Sequence, residues 1–209
     1  MTTNNSMNVL TLVDSPFANL DSIARGLRAV GAELHVSRDP AAIARSRKLV
    51  LPGVGSFAAA MSWLARSGVA DAIREAASHG ADLLGICLGH QLLFDESEEM
   101  GSNRGLGLIA GRVRRFPAGM RVPKIGWNRV DAKPDPLFEG IDTGASFYFV
   151  HSYRVEEVAP DVEIASAEYG GRFNVAARRG RVCGVQFHPE KSSRAGLRLL
   201  QNFVNGGAR

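Results

Sequence analysis

The sequence is poor in cysteine, with only Cys87 and Cys183 among its 209 residues. Two cysteines make a weak disulfide framework, so we expect both to be reduced thiols. No apolar run reaches the roughly 18 residues that a membrane span needs. The opening, MTTNNSMNVL, lacks the basic region and long apolar core of a secretory signal. These absences predict a cytoplasmic protein.

Basic clusters, internal repeats and low-complexity segments are also missing. The formal net charge is +4, but the basic residues are scattered, apart from pairs such as Arg114–Arg115. Neither an aromatic platform nor zinc-ligand spacing accompanies them, which argues against a nucleic-acid-binding protein. The C-x-x-H spacing of Cys87 and His90 lacks a second ligand pair. We therefore expect no metal site.

The first half of the chain alternates strand and helix patterns. Apolar runs predict strands at residues 8–13, 32–37, 48–55 and 81–87. Helical spacing predicts helices at residues 19–31, 56–68, 69–80 and 88–97. Repeated βα units of this kind imply a parallel sheet with helices on both faces.

The texture changes in the second half, where strand-like runs are separated by turn residues. These runs lie at residues 105–116, 124–130, 145–153, 162–169, 173–180 and 181–187. We expect them to extend the sheet with antiparallel strands. A final helix at residues 192–207 is predicted to carry four apolar side chains on one side: Leu197, Leu200, Phe203 and Val204. The whole is predicted to be one α/β domain over residues 7–206, preceded by a frayed tail at residues 1–6.

Alternation along a strand separates the two cysteines. In RVCGVQFH, His188 shares a face with Gly184 and Gln186, whereas Cys183 points to the opposite, apolar face. We therefore interpret Cys183 as a buried structural thiol.

Cys87 has a different setting, because it ends the apolar strand LLGI and precedes a helix that begins with LGHQ. Such a corner lies at the carboxyl edge of the sheet, where α/β proteins place their sites. The start of a helix favours the thiolate, and the Leu88 amide is placed to donate a hydrogen bond to a developing oxyanion. G-I-C-L-G resembles a nucleophile elbow with cysteine in place of serine. The alternative is a small core cysteine at a tight turn.

The tripeptide HPE sets His188 and Glu190 two residues apart at the end of a strand, with Pro189 ending the ladder between them. The carboxylate can orient the imidazole and stabilise its protonated form, which would complete a triad with Cys87. The alternative is a strand-end histidine beside a surface glutamate. His151, in FVHSY, is a further candidate for lining the pocket.

Two of these motifs carry a family resemblance. GICLGHQ resembles the nucleophile motif of class I glutamine amidotransferases, and GVQFHPEKS resembles their His/Glu motif. LPGVGSF, IGWN and FYFVHSY extend the resemblance, over about residues 8 to 205, to the family of glutaminase subunits of imidazole glycerol phosphate synthase. The resemblance implies a flavodoxin-like fold with a mixed, mostly parallel sheet. It also implies catalysis without a cofactor or a metal.

For the triad, the resemblance implies that Cys87 attacks the side-chain amide of glutamine and forms a γ-glutamyl thioester. His188 would protonate the departing ammonia and then activate water, and Glu190 would orient His188. The remaining roles implied by the resemblance are an oxyanion hole, glutamine contacts and a side that faces a cyclase subunit in a heterodimer. The oxyanion hole is matched by Gly53, Val54 and Leu88, and the glutamine contacts are matched by Gln91, Glu99 and Ser152. The side that faces the cyclase is matched by Asn19, Tyr148 and Lys191.

The sequence departs from the family pattern at three places. The first loop reads DSPFANLDS where a glycine-rich turn is usual, which bears on Asn19. His90 stands where methionine is common, and Lys124 stands where histidine is common. None of these departures falls on the predicted triad. They therefore bear on contact with the partner and on the tuning of the site, more than on the reaction itself.

Three other interpretations remain open from the sequence. The first is a related glutaminase that serves anthranilate, aminodeoxychorismate or pyridoxal phosphate synthesis. The second is a stand-alone cysteine hydrolase of γ-glutamyl compounds, which would turn over without a partner. The third is a flavodoxin-like binding module, although LPGVGSF lacks the full spacing of a phosphate-binding loop.

Overall fold

A parallel sheet forms the centre of the molecule. The computed structural model describes residues 9–206, so the predicted tail at residues 1–6 lies outside the described residues. The first four strands are β1 (Val9–Val13), β2 (Glu33–Ser37), β3 (Lys48–Gly53) and β4 (Asp82–Cys87). They lie side by side in the order β2-β1-β3-β4 and run parallel. Their burial on both faces explains why β3 and β4 read as continuous apolar runs.

Helices cover both faces of this sheet. They are α1 (Leu20–Ala29), α2 (Pro40–Ala44), α3 (Phe57–Arg66), α4 (Val69–Ser78), α5 (Leu88–Leu92) and α6 (Ser193–Gly206). One apolar core joins α1 and α6 to one face, and a second joins α3, α4 and α5 to the other. The short helix α2 was not predicted; the Asp39 carboxylate caps it by accepting hydrogen bonds from the amides of Ala41 and Ala42.

The second half of the chain extends the sheet mainly with antiparallel strands, as predicted. One added pairing, of Glu96–Ser97 with Arg112–Arg115, is parallel, and Glu96–Ser97 lies in the helix predicted at residues 88–97, which ends at Leu92. Its strands are β5 (Glu96–Ser97), β6 (Asn103–Arg104), β7 (Arg112–Arg115), β8 (Lys124–Arg129), β9 (Asp131–Ala132), β10 (Ser146–His151), β11 (Tyr153–Glu156), β12 (Glu163–Glu168), β13 (Arg172–Arg179) and β14 (Val182–Val185). Strand β14 runs parallel to β4 and antiparallel to β13, so it joins the two halves. Strands β8 and β10 pair only with each other within the described residues, as a separate antiparallel ladder.

The run at residues 145–153, predicted as one strand, is two strands in different sheets. Strand β10 pairs with β8, and β11 pairs with β7 and β13 in the main sheet. The chain passes from one sheet to the other at Ser152. The alternation of apolar and polar residues does not reveal this crossing, because each of the two strands has an apolar face and the sequence pattern continues through Ser152.

The predicted apolar side of α6 was partly wrong. Leu200, Phe203 and Val204 are buried, but Leu197 is 37% exposed and Leu199 is fully buried. Since an α-helix has 3.6 residues per turn, Leu197 and Leu199 lie at opposite margins of the apolar stripe formed by Leu200, Phe203 and Val204. Only the margin that carries Leu199 faces the core.

Candidate active site

A strained corner holds Cys87 at the carboxyl end of β4. Its φ is +56°, a left-handed conformation that a residue other than glycine rarely adopts, and α5 begins at the next residue. A Cβ at Gly89 would lie 1.9 Å from the Leu51 oxygen, and one at Gly85 would lie 2.6 Å from the Gly89 oxygen. The strand and the helix therefore approach so closely that only glycine fits on either side of the cysteine. This is the geometry of a nucleophile elbow.

His188 and Glu190 lie together just after β14. The Nδ1 atom of His188 is 2.8 Å from Oε1 of Glu190, and both side chains are almost completely buried. Glu190 belongs to a single 3-10 turn, Pro189–Lys191, whose proline ends the strand pattern. The other ring nitrogen, Nε2, has no hydrogen-bond partner among residues 9–206. Glu190 thus fixes one side of the ring and leaves Nε2 for chemistry.

The surroundings of His188 favour its protonated form. Burial acts against the charge, but attraction to Cys87 and the hydrogen bond and attraction to Glu190 outweigh burial and raise the pKa of His188 to about 10. An imidazolium beside a cysteine is the arrangement that stabilises a thiolate nucleophile.

Cys183 is buried, as alternation predicted. It is fully buried, and burial raises the pKa of its thiol to about 12. Its Sγ lies 3.4 Å from the carbonyl oxygen of Leu83 in the adjacent strand. A thiol in this state is a packing group and not a nucleophile.

A buried amide pair lies behind Cys87. The Nε2 atom of Gln186 is 3.9 Å from the Sγ of Cys87, and its Oε1 accepts a 2.8 Å hydrogen bond from Gln91. Gln91 also donates to the Tyr153 oxygen at 3.0 Å. Sequence reasoning missed a role for Gln186, although alternation placed it on the same face as His188. That shared face was the signal that could have identified it.

A cavity of about 390 Å³ opens in front of Cys87. It brings together the three residues predicted to bind glutamine, Gln91, Glu99 and Ser152, and it does not include Asn19. Its other lining residues are Val54, Gly55, Leu88, Pro123, Val150, His151 and Tyr153. The Glu99 carboxylate also accepts a 2.6 Å hydrogen bond from the Phe57 amide, at the start of α3.

The loop predicted to complete the oxyanion hole lies beside the cysteine. Gly53 is the β-ladder partner of Cys87, and a Cβ on Gly53 would lie 3.0 Å from the Gly89 nitrogen. The Val54 amide donates a 2.6 Å hydrogen bond to the Phe17 oxygen. In this structure the Val54 amide is therefore engaged by the first loop. Leu88 is the first residue of α5, directly after the cysteine.

The residues predicted to face a partner fall into two settings. Asn19 is exposed and caps α1, accepting a 3.3 Å hydrogen bond from the Ser22 amide. The Lys191 ammonium lies 6.0 Å from the centre of the Tyr148 ring. Trp127, opposite Tyr148 in the β8–β10 ladder, is 53% exposed, and sequence reasoning did not single it out.

Three buried basic groups have lowered pKa values: His151, which lines the cavity, and His90 and Lys124, which interact with His151. Burial, then the charge of His151, lowers the pKa of His90 to about 3. Burial lowers the pKa of His151 to about 4 and that of Lys124 to about 8. No group of three or more His, Cys, Asp or Glu side chains within residues 9–206 could hold a metal ion. The helices of this region include none with the length and apolarity to cross a membrane.

Comparisons with known proteins agree with this geometry. The family model "Glutamine amidotransferase class-I" matches residues 11–206. A relative from Symbiobacterium thermophilum, "Imidazole glycerol phosphate synthase subunit HisH", is 50% identical over 93% of this chain and 92% of its own. A protein of the same name from Moorella thermoacetica is 48% identical over 94% of each chain.

Solved structures resemble the fold at lower identity. "Crystal structure of glutamine amidotransferase" superposes with a TM-score of 0.73 at 21% identity, over 94% of this chain and 98% of that chain. "Structure of PurLQS from Thermotoga maritima" gives a TM-score of 0.74 at 19% identity, over 94% and 97%. These likenesses bear on the fold alone.

Proposed function

Because the chain belongs to the glutamine amidotransferase class-I family, we propose that it is the glutaminase subunit of imidazole glycerol phosphate synthase, acting in histidine biosynthesis. It is a glutamine amidotransferase, and two relatives that bear this subunit's name are 50% and 48% identical to it over most of the chain. The observation that carries the proposed chemistry is the elbow cysteine, Cys87, which interacts with His188 of the buried His188–Glu190 ion pair.

The reaction converts glutamine and water into glutamate and ammonia. The Cys87 thiolate attacks the side-chain carbonyl carbon, and His188 gives its Nε2 proton to the departing ammonia. The resulting thioester is then attacked by water, which His188 deprotonates, and glutamate leaves as the Cys87 sulfur is released. Glu190 holds Nδ1 throughout, which keeps the ring orientation fixed. No bound metal or cofactor enters any step.

The negative oxygen of each tetrahedral intermediate needs backbone donors. The Leu88 amide follows the nucleophile directly at the start of α5, and we propose that the Val54 amide is the second donor. Gly53 before it permits the peptide rotation that this would require. Since the Val54 amide is bonded to Phe17, we propose that this donor becomes available only when a partner has bound.

Glutamine occupies the cavity in front of Cys87 in this proposal. The Glu99 carboxylate and the Gln91 side-chain oxygen suit the substrate's ammonium group, because both amide donors of Gln91 are already bonded to Gln186 and Tyr153. The Ser152 hydroxyl suits the substrate's carboxylate. The support for this arrangement is that all three residues line the same cavity as the nucleophile.

The partner we propose is a cyclase subunit, forming a heterodimer that receives the ammonia. The supporting observation is an apolar patch beside the cavity, composed of Ile125, Trp127, Tyr148 and Val150 on the β8–β10 ladder. Ile125 and Trp127 are exposed, Tyr148 and Val150 are half-buried, and Val150 also lines the cavity. Ile125 is 65% exposed. Exposed aromatic residues of this kind are typical of protein interfaces. Lys191 adds a positive charge at the edge of the patch.

The acceptor we propose is a phosphoribosyl formimino aminoimidazole carboxamide ribotide. Its reaction with ammonia on the cyclase yields imidazole glycerol phosphate and the aminoimidazole carboxamide ribotide. We further propose that residues 7–206 act as one domain and that the complex is cytoplasmic, where both thiols stay reduced.

A glutaminase assay with and without the cyclase subunit and its ligand tests the proposal. We expect a low rate for the isolated chain and a large rise in the complex with ligand. Full turnover by the isolated chain, unchanged by the cyclase, would instead favour a stand-alone hydrolase. Stimulation by an anthranilate or aminodeoxychorismate synthase component would favour a different amidotransferase.

A further inference from the structure

The side chain of Ser192 joins two segments that lie far apart in sequence. Ser192 is fully buried at the end of the turn that carries His188 and Glu190. Its hydroxyl donates a 2.6 Å hydrogen bond to the His188 carbonyl oxygen and accepts a 2.9 Å hydrogen bond from the Tyr148 amide. One hydroxyl therefore connects the triad histidine to strand β10.

A backbone hydrogen bond closes this connection into a ring. The His188 amide donates to the Tyr148 carbonyl oxygen at 2.9 Å. Tyr148 thus contacts the catalytic turn through both its amide and its carbonyl, and Ser192 supplies one of the two links. Without that hydroxyl, the Tyr148 amide would lose its hydrogen-bond partner in a partly buried place, which is a costly change.

The two ends of this ring face different surroundings. The Tyr148 side chain belongs to the apolar patch, where it packs edge-on against Trp127 with ring centres 6.1 Å apart. The His188 side chain points to Glu190 and interacts with Cys87. A displacement of β10 at the patch would therefore move the backbone of His188, which sets the position of its imidazole.

The turn is held firmly on its other side. The Ser192 carbonyl accepts a 3.0 Å hydrogen bond from the Gly196 amide in the first turn of α6. A Cβ at Gly196 would lie 1.9 Å from the Pro189 oxygen, so helix and turn are in direct contact. Because α6 is anchored in the core by Leu199, Leu200 and Phe203, movement of the turn relative to the rest of the molecule would come from the β10 side.

From this geometry we infer that Ser192 is a positioning residue that transmits partner binding at the β8–β10 patch to His188. The inference rests on the proposed function, because it needs a partner at that patch. The inference predicts that glutamine hydrolysis by the complex depends more strongly on the Ser192 hydroxyl than hydrolysis by the isolated chain does.

The test compares Ser192→Ala, Ser192→Cys and wild type in the full heterodimer and as isolated chains. Three quantities are measured: the glutaminase rate of each form, the affinity for the cyclase, and ammonia-dependent synthesis by the complex. A matched control is Ser166→Ala, which removes another buried serine hydroxyl, on β12.

We expect Ser192→Ala to lower the cyclase's stimulation of glutaminase by about tenfold, the size typical of a coupling contact. Ser192→Cys, whose thiol is a weak donor and acceptor, should fall between alanine and wild type. Cyclase affinity and ammonia-dependent synthesis should stay within about twofold of wild type, as should every rate of Ser166→Ala. If Ser192→Ala fails to fold, the stimulation of Ser192→Cys decides the question in the same way.

Two outcomes would overturn the inference. Unchanged stimulation in the serine variants would show that the hydroxyl carries no coupling, and an equal loss in isolated chain and complex would make it merely structural. Failure of the proposed function gives a different result, because wild type itself would then show no stimulation by the cyclase.

Discussion

The Val54 amide donates a 2.6 Å hydrogen bond to the carbonyl oxygen of Phe17. The first loop therefore holds the peptide unit that should stabilise the oxyanion during glutamine hydrolysis. Val54→Pro removes this amide donor, and with it both the bond to Phe17 and the proposed second oxyanion contact. We expect the isolated chain to keep its low glutaminase rate, because the amide is already engaged elsewhere in that state.

In the complex, the same substitution should lower the stimulated glutaminase rate by about a hundred- to thousandfold, the usual cost of one oxyanion donor. Steady-state glutaminase assays with the cyclase and its ligand measure the effect, and ammonia-dependent synthesis serves as the control for assembly. A Val54→Pro complex that is stimulated as well as wild type would show that another group supplies the second donor.

The two thiols should differ sharply in reactivity. Cys87 lines the cavity, whereas Cys183 is fully buried with the pKa of its thiol raised to about 12. An electrophilic glutamine analogue should therefore modify Cys87 and spare Cys183 in the folded chain. Peptide mapping after labelling measures this, with urea-unfolded protein as the control in which both cysteines react. A label on Cys183 in the folded protein would contradict the assignment of the nucleophile.

The triad variants should separate hydrolysis from assembly. Cys87→Ala and His188→Ala should each lower glutamine-dependent synthesis by about a thousandfold or more, with ammonia-dependent synthesis retained. Glu190→Gln should cost less, because an orienting group contributes less than the nucleophile or the base. Both syntheses are measured on the reconstituted complex. Loss of ammonia-dependent synthesis in Cys87→Ala would point instead to a role for Cys87 in folding or assembly.

The elbow was predictable because its determinants are local in sequence. A buried strand, two flanking glycines and a following helix pattern all lie between Leu83 and Gln91. His188 and Glu190 were predictable for the same reason. The burial of Cys183 followed from alternation, because β14 has neighbours on both sides and an apolar face.

Other features depend on contacts between distant segments and leave no local pattern. The bond from Val54 to Phe17 and the two bonds of the Ser192 hydroxyl join separate loops and strands. The crossing between sheets at Ser152 is fixed by which strands pair, and not by its own residues. Leu197 was misjudged because an apolar residue at the margin of a helical stripe satisfies the periodicity equally well whether buried or exposed.

Lys191 offers a test of the proposed interface. Its ammonium lies near the Tyr148 ring at the edge of the patch, and it directly follows Glu190. Lys191→Ala should weaken cyclase binding, or the cyclase's stimulation of glutaminase, by about 1 kcal/mol, as for an exposed charge at an interface rim. Reactivity of Cys87 toward the glutamine analogue in the isolated chain should not change. Titration calorimetry measures binding, and Arg104→Ala, an exposed charge on β6, is the control.

The buried histidines should make the chain sensitive to acid. Burial lowers the pKa of His90 to about 3 and that of His151 to about 4, so between these values and pH 6.5 the unfolded chain binds more protons than the folded chain. Stability is therefore lost as the pH falls below 6.5. The raised pKa of His188, about 10, has the opposite sign: its stabilisation is fully present below pH 6.5 and is lost only as the pH rises toward 10.

For His90 alone, the linkage amounts to about 2 kcal/mol of lost stability at pH 5, because each pKa unit corresponds to about 1.4 kcal/mol. His90→Met removes the titrating group while keeping a side chain that packs in an apolar setting beside Phe94. We expect its loss of stability between pH 7 and pH 5 to be smaller than that of wild type by about this amount. Urea unfolding at the two pH values measures it, with His79→Gln at an exposed position as the control. An equal loss in His90→Met and wild type would mean that carboxylates, and not this buried imidazole, set the acid limit of the fold.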